Sequence, residues 1–382
     1  MRIVVAGAGL AGLRAAQAAR AAGFDGELVL LNAESHLPYN RPPLSKELLK
    51  GEHTAEQCTF PGLDALDAEV RRGVSVTAID PAAHTLTQSD GATEPYDRVI
   101  VATGSRARLL GDGLHSLRTL DDALALHGRL AEIDRLAIIG AGFIGCEVAA
   151  SARARGVEVT LIDAVAQPLL PLGPELGARV ADVHRAHGVE LRLGTGVESA
   201  APGEVRLADG ATVRADDVLV AIGVQLNTDF LQGSSIELTR EGGVVCDATL
   251  TSVCDPDVLA AGDVAAWPAL GGRFGDAVRV EHWTTAAEHG RIAGANAAVA
   301  PGERKAHVAP PYFWSDQYDV KIQSVGFPAL ADRIEIVDED AEGRLIAEAH
   351  DAHDRLVGAV TVNHAKRLAD YRRRLAAEAV PA

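Results

Sequence analysis

Two hydrophobic periods run through this chain, and the places where one gives way to the other mark its elements. Residues 3–6 form an unbroken apolar run of strand length, and an alanine-rich helix pattern follows it closely. Residues 27–31 form a second apolar run that ends in polar residues. The arrangement recurs at residues 135–139 and 157–163. Residues 74–95 read as short strands with turn signals at Asp80-Pro81 and Asp90-Gly91, an antiparallel insertion in the first unit. The region 189–214 reads the same way in the second, and the apolar runs at 96–104 and 217–223 return each unit to its parent sheet. An internal duplication is the natural reading. Beyond it, residues 257–264 predict an apolar strand delivering an aspartate, and residues 283–299 predict an alanine-rich helix. From about residue 310, alternating strands that include 320–325, closed by a basic helix at 364–379, predict an α+β unit.

The turns between strand and helix carry the first chemistry. The first apolar run breaks into Gly7-x-Gly9-x-x-Gly12 and its counterpart into Gly140-x-Gly142-x-x-Gly145. In such a turn the first glycine permits the sharp bend and the second lets a pyrophosphate reach the backbone. The third lets the helix pack on its strand with its N-terminus toward the phosphates. A ribose-binding carboxylate should close the next strand, and Glu34 and Asp163 supply one in each unit. Two fingerprints with two acids predict two bound dinucleotides. The expected fold class is therefore α/β, with two Rossmann-like dinucleotide-binding domains and an α+β C-terminal domain. The expected boundaries are 1–106 with 233–308 for the first, 107–232 for the second and 309–382 for the third.

Composition narrows the partners. A chain of 382 residues that is 47% hydrophobic can bury two or three ordinary cores. No apolar run reaches membrane-spanning length, and residues 3–20 are better explained as strand, turn and helix than as a secretory signal. A net charge of −17 argues against non-specific nucleic-acid binding. Cys58, Cys146, Cys246 and Cys254 lack the spacing of a redox pair or a metal site, so a reduced cytoplasmic protein without a metal is expected.

Residues 35–46 contain three prolines, which excludes a regular helix or central strand and predicts a rigid loop presenting Arg41 and Lys46. By this point the order of motifs resembles the flavoprotein ferredoxin reductases that serve bacterial cytochromes P450 and ring-hydroxylating dioxygenases, within the disulfide-reductase superfamily architecture. The resemblance rests on the two fingerprints, on Arg41-Pro42-Pro43-Leu44-Ser45-Lys46 and Ala102-Thr103-Gly104, and on Glu147 two residues after Gly145. It rests also on Ala260-Ala261-Gly262-Asp263, Glu281-His282-Trp283 and Phe313-Trp314-Ser315-Asp316-Gln317-Tyr318.

The resemblance implies FAD on the first fingerprint, with Glu34 on the adenosine ribose and Asp263 on the ribityl chain. Leu10, Ala11, Arg41, Val76, Ala102, Thr103, Gly104, Gly262, Glu281 and His282 belong to the implied cofactor-binding set, and Ile144, Ile222 and Gly223 belong to it beside the second fingerprint. Trp283 and Trp314 are implied to line the flavin, and Phe143 resembles the aromatic gate of the nicotinamide pocket. Asp163 should favour NADH, because a carboxylate accepts bonds from a free 2′-hydroxyl and repels a 2′-phosphate. Arg153 and Arg155, which could receive that phosphate, are expected on a solvated helix face. Lys46 beside the flavin could stabilise negative charge as hydride arrives, with Glu147 orienting its ammonium.

The expected activity is an FAD-containing NADH:ferredoxin oxidoreductase that passes electrons singly to an acidic iron–sulfur ferredoxin, and through it to a P450 or Rieske dioxygenase. The acceptor comes from the resemblance alone. The proline loop lacks cysteine and no Cys-x-x-x-x-Cys pair occurs, which argues against a disulfide reductase. The alternatives are an NADH oxidase or quinone reductase, and an NADH-sensing flavoprotein resembling apoptosis-inducing factor. A docking patch for the ferredoxin is expected at Lys366, Arg367, Arg373 and Arg374, which share a face of the last helix with Asp370.

Overall fold

The computed structural model describes residues 1–275 and 277–377. Its first sheet is fully parallel, in the order Val258–Ala260, Arg98–Val101, Arg2–Ala6, Glu27–Asn32, Glu69–Arg72. The second is also parallel, in the order Glu190–Leu193, Glu158–Asp163, Arg135–Ile139, Asp217–Val220. In both, the strand that feeds the glycine turn is central and solidly buried, as continuous apolar runs require when helices cover both faces.

Each unit carries a three-stranded antiparallel sheet between its last crossovers, at Val76–Asp80, Thr85–Gln88 and Thr93–Pro95 in the first and Val197–Ala201, Glu204–Leu207 and Thr212–Arg214 in the second. The second insertion is shorter than its sequence suggests. Residues 190–193 belong to the parallel sheet, because they pair with the strand ending in Asp163 and not with the meander that follows. The polar edge strand Glu69–Arg72 was not legible either, since only its two middle residues are partly covered. The two chain crossings between the parallel sheets pair with each other as a short antiparallel ribbon, Ser105–Ala107 with Val224–Leu226.

Helices Leu10–Ala21 and Trp283–Ala297 pack unusually closely. A Cβ on Gly290 or Gly294 would come within 2.3 or 2.0 Å of the Ala11 or Ala15 carbonyl oxygen, so only glycine allows this approach. The contact fixes the start of the second helix, at Trp283, beside the first glycine turn. The remaining unit is a five-stranded antiparallel sheet in the order Tyr312–Gln317, Val320–Gly326, Leu356–Val362, Leu345–His350, Arg333–Glu339. A closing helix, Leu368–Ala377, covers it through Leu368, Tyr371 and Leu375. That helix is preceded by a 3₁₀ turn at Ala365–Arg367, and the last residues of its predicted span lie outside the described residues. Among the described residues no helix is long and apolar enough to cross a membrane, and no group of acidic, histidine and cysteine side chains could hold a metal ion.

Candidate functional site

The two glycine turns are near copies in three dimensions. Gly7 and Gly140 adopt φ of 104° and 107°, and in each a Cβ would stand 2.3 Å from a backbone oxygen of the returning strand, Ala102 or Ala221. Any side chain there would both strain the backbone and collide. Gly12 and Gly145 then let each helix sit against its own turn. Gly9 and Gly142 open the helices without a side-chain cap, and no atom lies within 4 Å of where their Cβ atoms would be. The first-turn N–H groups of both helices are thereby left for a ligand.

A cavity of about 770 Å³ starts at the first turn and runs between all three units. Gly7, Gly9, Leu10, Ala11, Glu34, Arg41, Lys46, Val76, Ala102, Thr103 and Gly104 line it, together with Gly262, Asp263, Glu281, His282 and Trp283. Phe143, Ile144 and Glu147 enter from the second unit and Trp314 from the third. Gly140, Gly142, Gly145, Asp163, Ile222 and Gly223 do not line this cavity. They belong to the second turn, where the Ile222 amide lies 3.2 Å from a Cβ built on Gly140. Gly12 serves packing and not lining.

At one end of the cavity, the Glu34 carboxylate accepts from Tyr39 Oη at 2.5 Å and from Arg41 at 2.8 Å. Toward the middle, Asp263 accepts from Ser105 Oγ and from Arg118, each at 2.6 Å. Burial alone would raise this carboxyl, but the Arg118 guanidinium and the Ser105 hydroxyl outweigh it and hold it below the usual carboxylate range. His282 lies half-buried nearby with its Nδ1 unpartnered, and burial pushes its imidazole down to about 4 against the opposing charge of Asp263. Glu281 is committed in part to Arg279 at 2.5 Å.

The far end combines aromatic rings with one buried ion pair. Trp283 donates from Nε1 to Asn40 at 2.7 Å and meets Trp314 edge to face at 5.8 Å. Phe143 meets Phe313 at 4.7 Å, and Phe313 in turn packs on His282. Lys46 is not presented on a loop surface. It is 8% exposed, and its Nζ lies 2.7 Å from Glu147 Oε2, with Ser45 on the same oxygen and Ser315 on the other.

At the second turn, Asp163 accepts from the Ala141 amide at 2.6 Å and from the Val165 amide at 3.0 Å. Arg153 and Arg155 are not simply solvated, because they tie down the His187 and Val157 carbonyls and the Leu49 and His127 carbonyls respectively. All four cysteines are free, and three are buried. Ser45, Ser105, Arg118, Asn227 and Phe313 also line the cavity, and sequence reasoning did not single them out as site residues. Ser105 directly follows Gly104, but nothing local marks Arg118, whose partner lies 145 residues away.

Residues 1–290 match the model of the pyridine nucleotide-disulphide oxidoreductase family, and residues 312–382 match a reductase C-terminal family. The ferredoxin–NAD(+) reductase component of the p-cumate 2,3-dioxygenase system of Pseudomonas putida is 38% identical over 97% of this chain and 92% of its own. The corresponding component of the anthranilate 1,2-dioxygenase system of Burkholderia cepacia is 35% identical over 99% of this chain and 95% of its own. Among solved structures, the covalent putidaredoxin reductase–putidaredoxin complex superposes with a TM-score of 0.91 at 31% identity, covering 99% of this chain and 93% of that one.

Proposed function

The chain belongs to the pyridine nucleotide-disulphide oxidoreductase family, and from that premise we propose that it is an FAD-containing NADH:ferredoxin reductase serving a dioxygenase or P450 system. The observation that carries the reading is the Lys46–Glu147 ion pair, buried where the aromatic end of the long cavity meets the second unit. The cavity fits FAD by its own features. An uncapped helix start at Gly9 awaits a pyrophosphate, Glu34 and Asp263 offer acceptors to sugar hydroxyls, and the Trp283–Trp314 pair gives an apolar wall for a ring. In this reading the first parallel unit, 1–106 with 233–308, holds FAD, residues 107–232 hold NADH, and residues 309–382 complete the flavin site.

FAD, when bound, supplies the ability to accept a hydride and return electrons one at a time. Glu147, gripped on both oxygens, orients Lys46, whose ammonium offers a fixed positive charge to the cavity. Phe143 covers the approach from the second turn, and Asp163 reads the ribose of the incoming nucleotide. His282 stays neutral near pH 7, so it contributes ring surface and one N–H and no charge. An iron–sulfur ferredoxin is the acceptor, and the free cysteines are in keeping with a cytoplasmic setting.

The test is stopped-flow spectroscopy of the FAD-loaded protein with NADH, then with a [2Fe–2S] ferredoxin of a ring-hydroxylating dioxygenase system. Reduction of the ferredoxin much faster than reoxidation by air is expected. Rapid loss of electrons to oxygen would favour an oxidase, and a long-lived reduced complex inert toward the ferredoxin would favour a sensor.

A further inference from the structure

The ion pair at the cavity is the end of a longer chain of buried polar groups. Ser315 Oγ lies 2.7 Å from Glu147 Oε1, and Gln317 Nε2 lies 3.2 Å from Ser315 Oγ. Gln317 Oε1 lies 3.1 Å from His184 Nε2, and His184 Nδ1 lies 3.0 Å from Tyr318 Oη. Glu147, Ser315, Gln317 and His184 are each at most 4% exposed. At its outer end the exposed His187 ring stacks on Tyr318 at 3.7 Å. Ser315 and Gln317 alternate on one face of strand Tyr312–Gln317, while His184 comes from helix Gly173–Ala186 of the second unit.

Donor counting gives this chain one direction. Lys46 can only donate, and the carboxylate it grips can only accept. Ser315 must therefore donate to Glu147, which leaves its lone pair for the Gln317 amide. Gln317 then presents its carbonyl oxygen to His184, which must carry its proton on Nε2 and accept from the Tyr318 hydroxyl on Nδ1. Every hydrogen bond points toward Glu147. Neutral His184 is what this requires, and burial drives its imidazole down to about 4. The Gln317 bond opposes that shift and neighbouring His187 assists it.

We infer that Ser315, Gln317 and His184 are positioning residues that act through Glu147 to fix the Lys46 ammonium, so that the second and third units together set the geometry of the charge beside the flavin. The inference rests on the reductase reading for its functional consequence only. A carboxylate bound at both oxygens cannot swing about its side-chain axis. Removing the Ser315 hydroxyl, which is fully buried, frees Oε1 and lets the pair with Lys46 rearrange.

Two variants test this, Ser315→Ala and Gln317→Met, each apolar and close to the parent in volume. The first readout needs no cofactor. Acylation of Lys46 at fixed pH, followed by peptide mass spectrometry, should run about tenfold faster in both variants than in the parent, because an ammonium locked in an ion pair reacts poorly. The second is the flavin midpoint potential of the FAD-loaded protein, which should fall by about 30 mV, the equivalent of tenfold for a two-electron couple. Domain packing alone would move neither quantity. Parent-like Lys46 labelling and a parent-like potential in folded Ser315→Ala would overturn the inference. Faster Lys46 labelling in a protein that NADH cannot reduce would uphold the positioning role and overturn the reductase reading instead.

Discussion

The Asp163 carboxylate accepts a hydrogen bond from the Ala141 amide at 2.6 Å, joining the end of one strand to the glycine turn that follows its neighbour. The carboxylate is thereby held at the mouth of the second turn, and its remaining lone pairs are free for a ribose diol. A 2′-phosphate brought there would meet this charge at close range, and Arg153 and Arg155 are held at the other end of the helix, by the His187 and Val157 carbonyls and by the Leu49 and His127 carbonyls. kcat/KM for NADH should exceed that for NADPH by at least about tenfold, the equivalent of 1.4 kcal/mol. Asp163→Ala should narrow the gap while weakening NADH, because the turn also loses its acceptor. A parent protein that prefers NADPH would sink the argument.

Replacing Lys46 by alanine removes a positive charge from the cavity and leaves Glu147 buried with two hydroxyl donors and no counter-ion. Hydride transfer in a single turnover should slow on the order of 10²-fold, the usual cost of losing one fixed donor at a reacting centre. The unpaired carboxylate should also lower stability by about 3 kcal/mol or more. FAD occupancy should hold, since the groups facing the pyrophosphate and sugars are untouched. Parent-rate reduction in the variant would make Lys46 a structural residue only.

Thiol chemistry is absent from the proposed mechanism, and the cysteines agree. Burial raises the thiols of Cys58, Cys146 and Cys246, with nearby carboxylates adding to the effect, so none is poised as a thiolate. Only Cys254 is exposed. The native protein should therefore react with a thiol reagent at one site and the unfolded protein at four. A folded variant with all four replaced by alanine should keep NADH-dependent ferricyanide reduction within about twofold, at a stability cost of roughly 1 kcal/mol for each buried site. Loss of turnover in that variant would return attention to a disulfide mechanism.

Much of this site was legible because its signals are local. Gly7 to Gly12 and Gly140 to Gly145 specify a turn within six residues, and Glu34 and Asp163 follow at the distance set by one helix and one strand. Lys46 and Glu147 sit 101 residues apart and were paired by resemblance to a family, not by periodicity. Nothing in the sequence pairs Arg118 with Asp263 or His184 with Gln317, because such contacts depend on how separate units dock. The same limit hid the anchoring of Arg153 and Arg155, whose partners are backbone carbonyls that any sequence would offer.

Acid should destabilise the protein through four imidazoles that burial keeps neutral. Burial pushes His184, His282 and His307 down to about 4, with His187 adding to the effect on His184, Arg372 adding to it on His307 and Asp263 opposing it on His282, and pushes His289 well below its usual value beside His307. An unfolded histidine titrates near 6.5, so between about pH 6.5 and pH 4 the unfolded chain binds more protons than the folded one. Stability is therefore retained above that window and lost as pH falls through it, by on the order of 1 kcal/mol per pH unit for each group. Unfolding in urea at pH 5.5 should take up about three to four protons beyond those of other groups. No net uptake there would show that these rings are solvated in the folded protein.

The closing helix offers the last test, and the structure changes which residues should carry it. Arg373 is paired with Asp370, and Arg374 lies 3.3 Å from Glu348, so half of the expected basic patch is already neutralised. Lys366 and Arg367 are exposed and have no ion partner among the described residues. Arg372 bonds Glu288 at 2.5 Å, five residues into the helix that begins at Trp283, which ties the closing helix to the helix whose start lines the cavity. On a chain of net charge −17, an acidic ferredoxin gains association rate only where the sign is locally reversed. Lys366→Glu with Arg367→Glu should raise the KM for ferredoxin about three- to tenfold at low ionic strength and leave kcat and ferricyanide reduction unchanged. The difference should shrink as salt approaches 0.5 M, where the screening length falls to about 4 Å. The matching reversal of Arg373 and Arg374 should have the smaller effect, because their charges are already compensated. If the Lys366 and Arg367 variant docks ferredoxin as the parent does at low salt, the encounter surface lies elsewhere on the cavity rim, and the basic turn serves only to keep the terminal helix solvated.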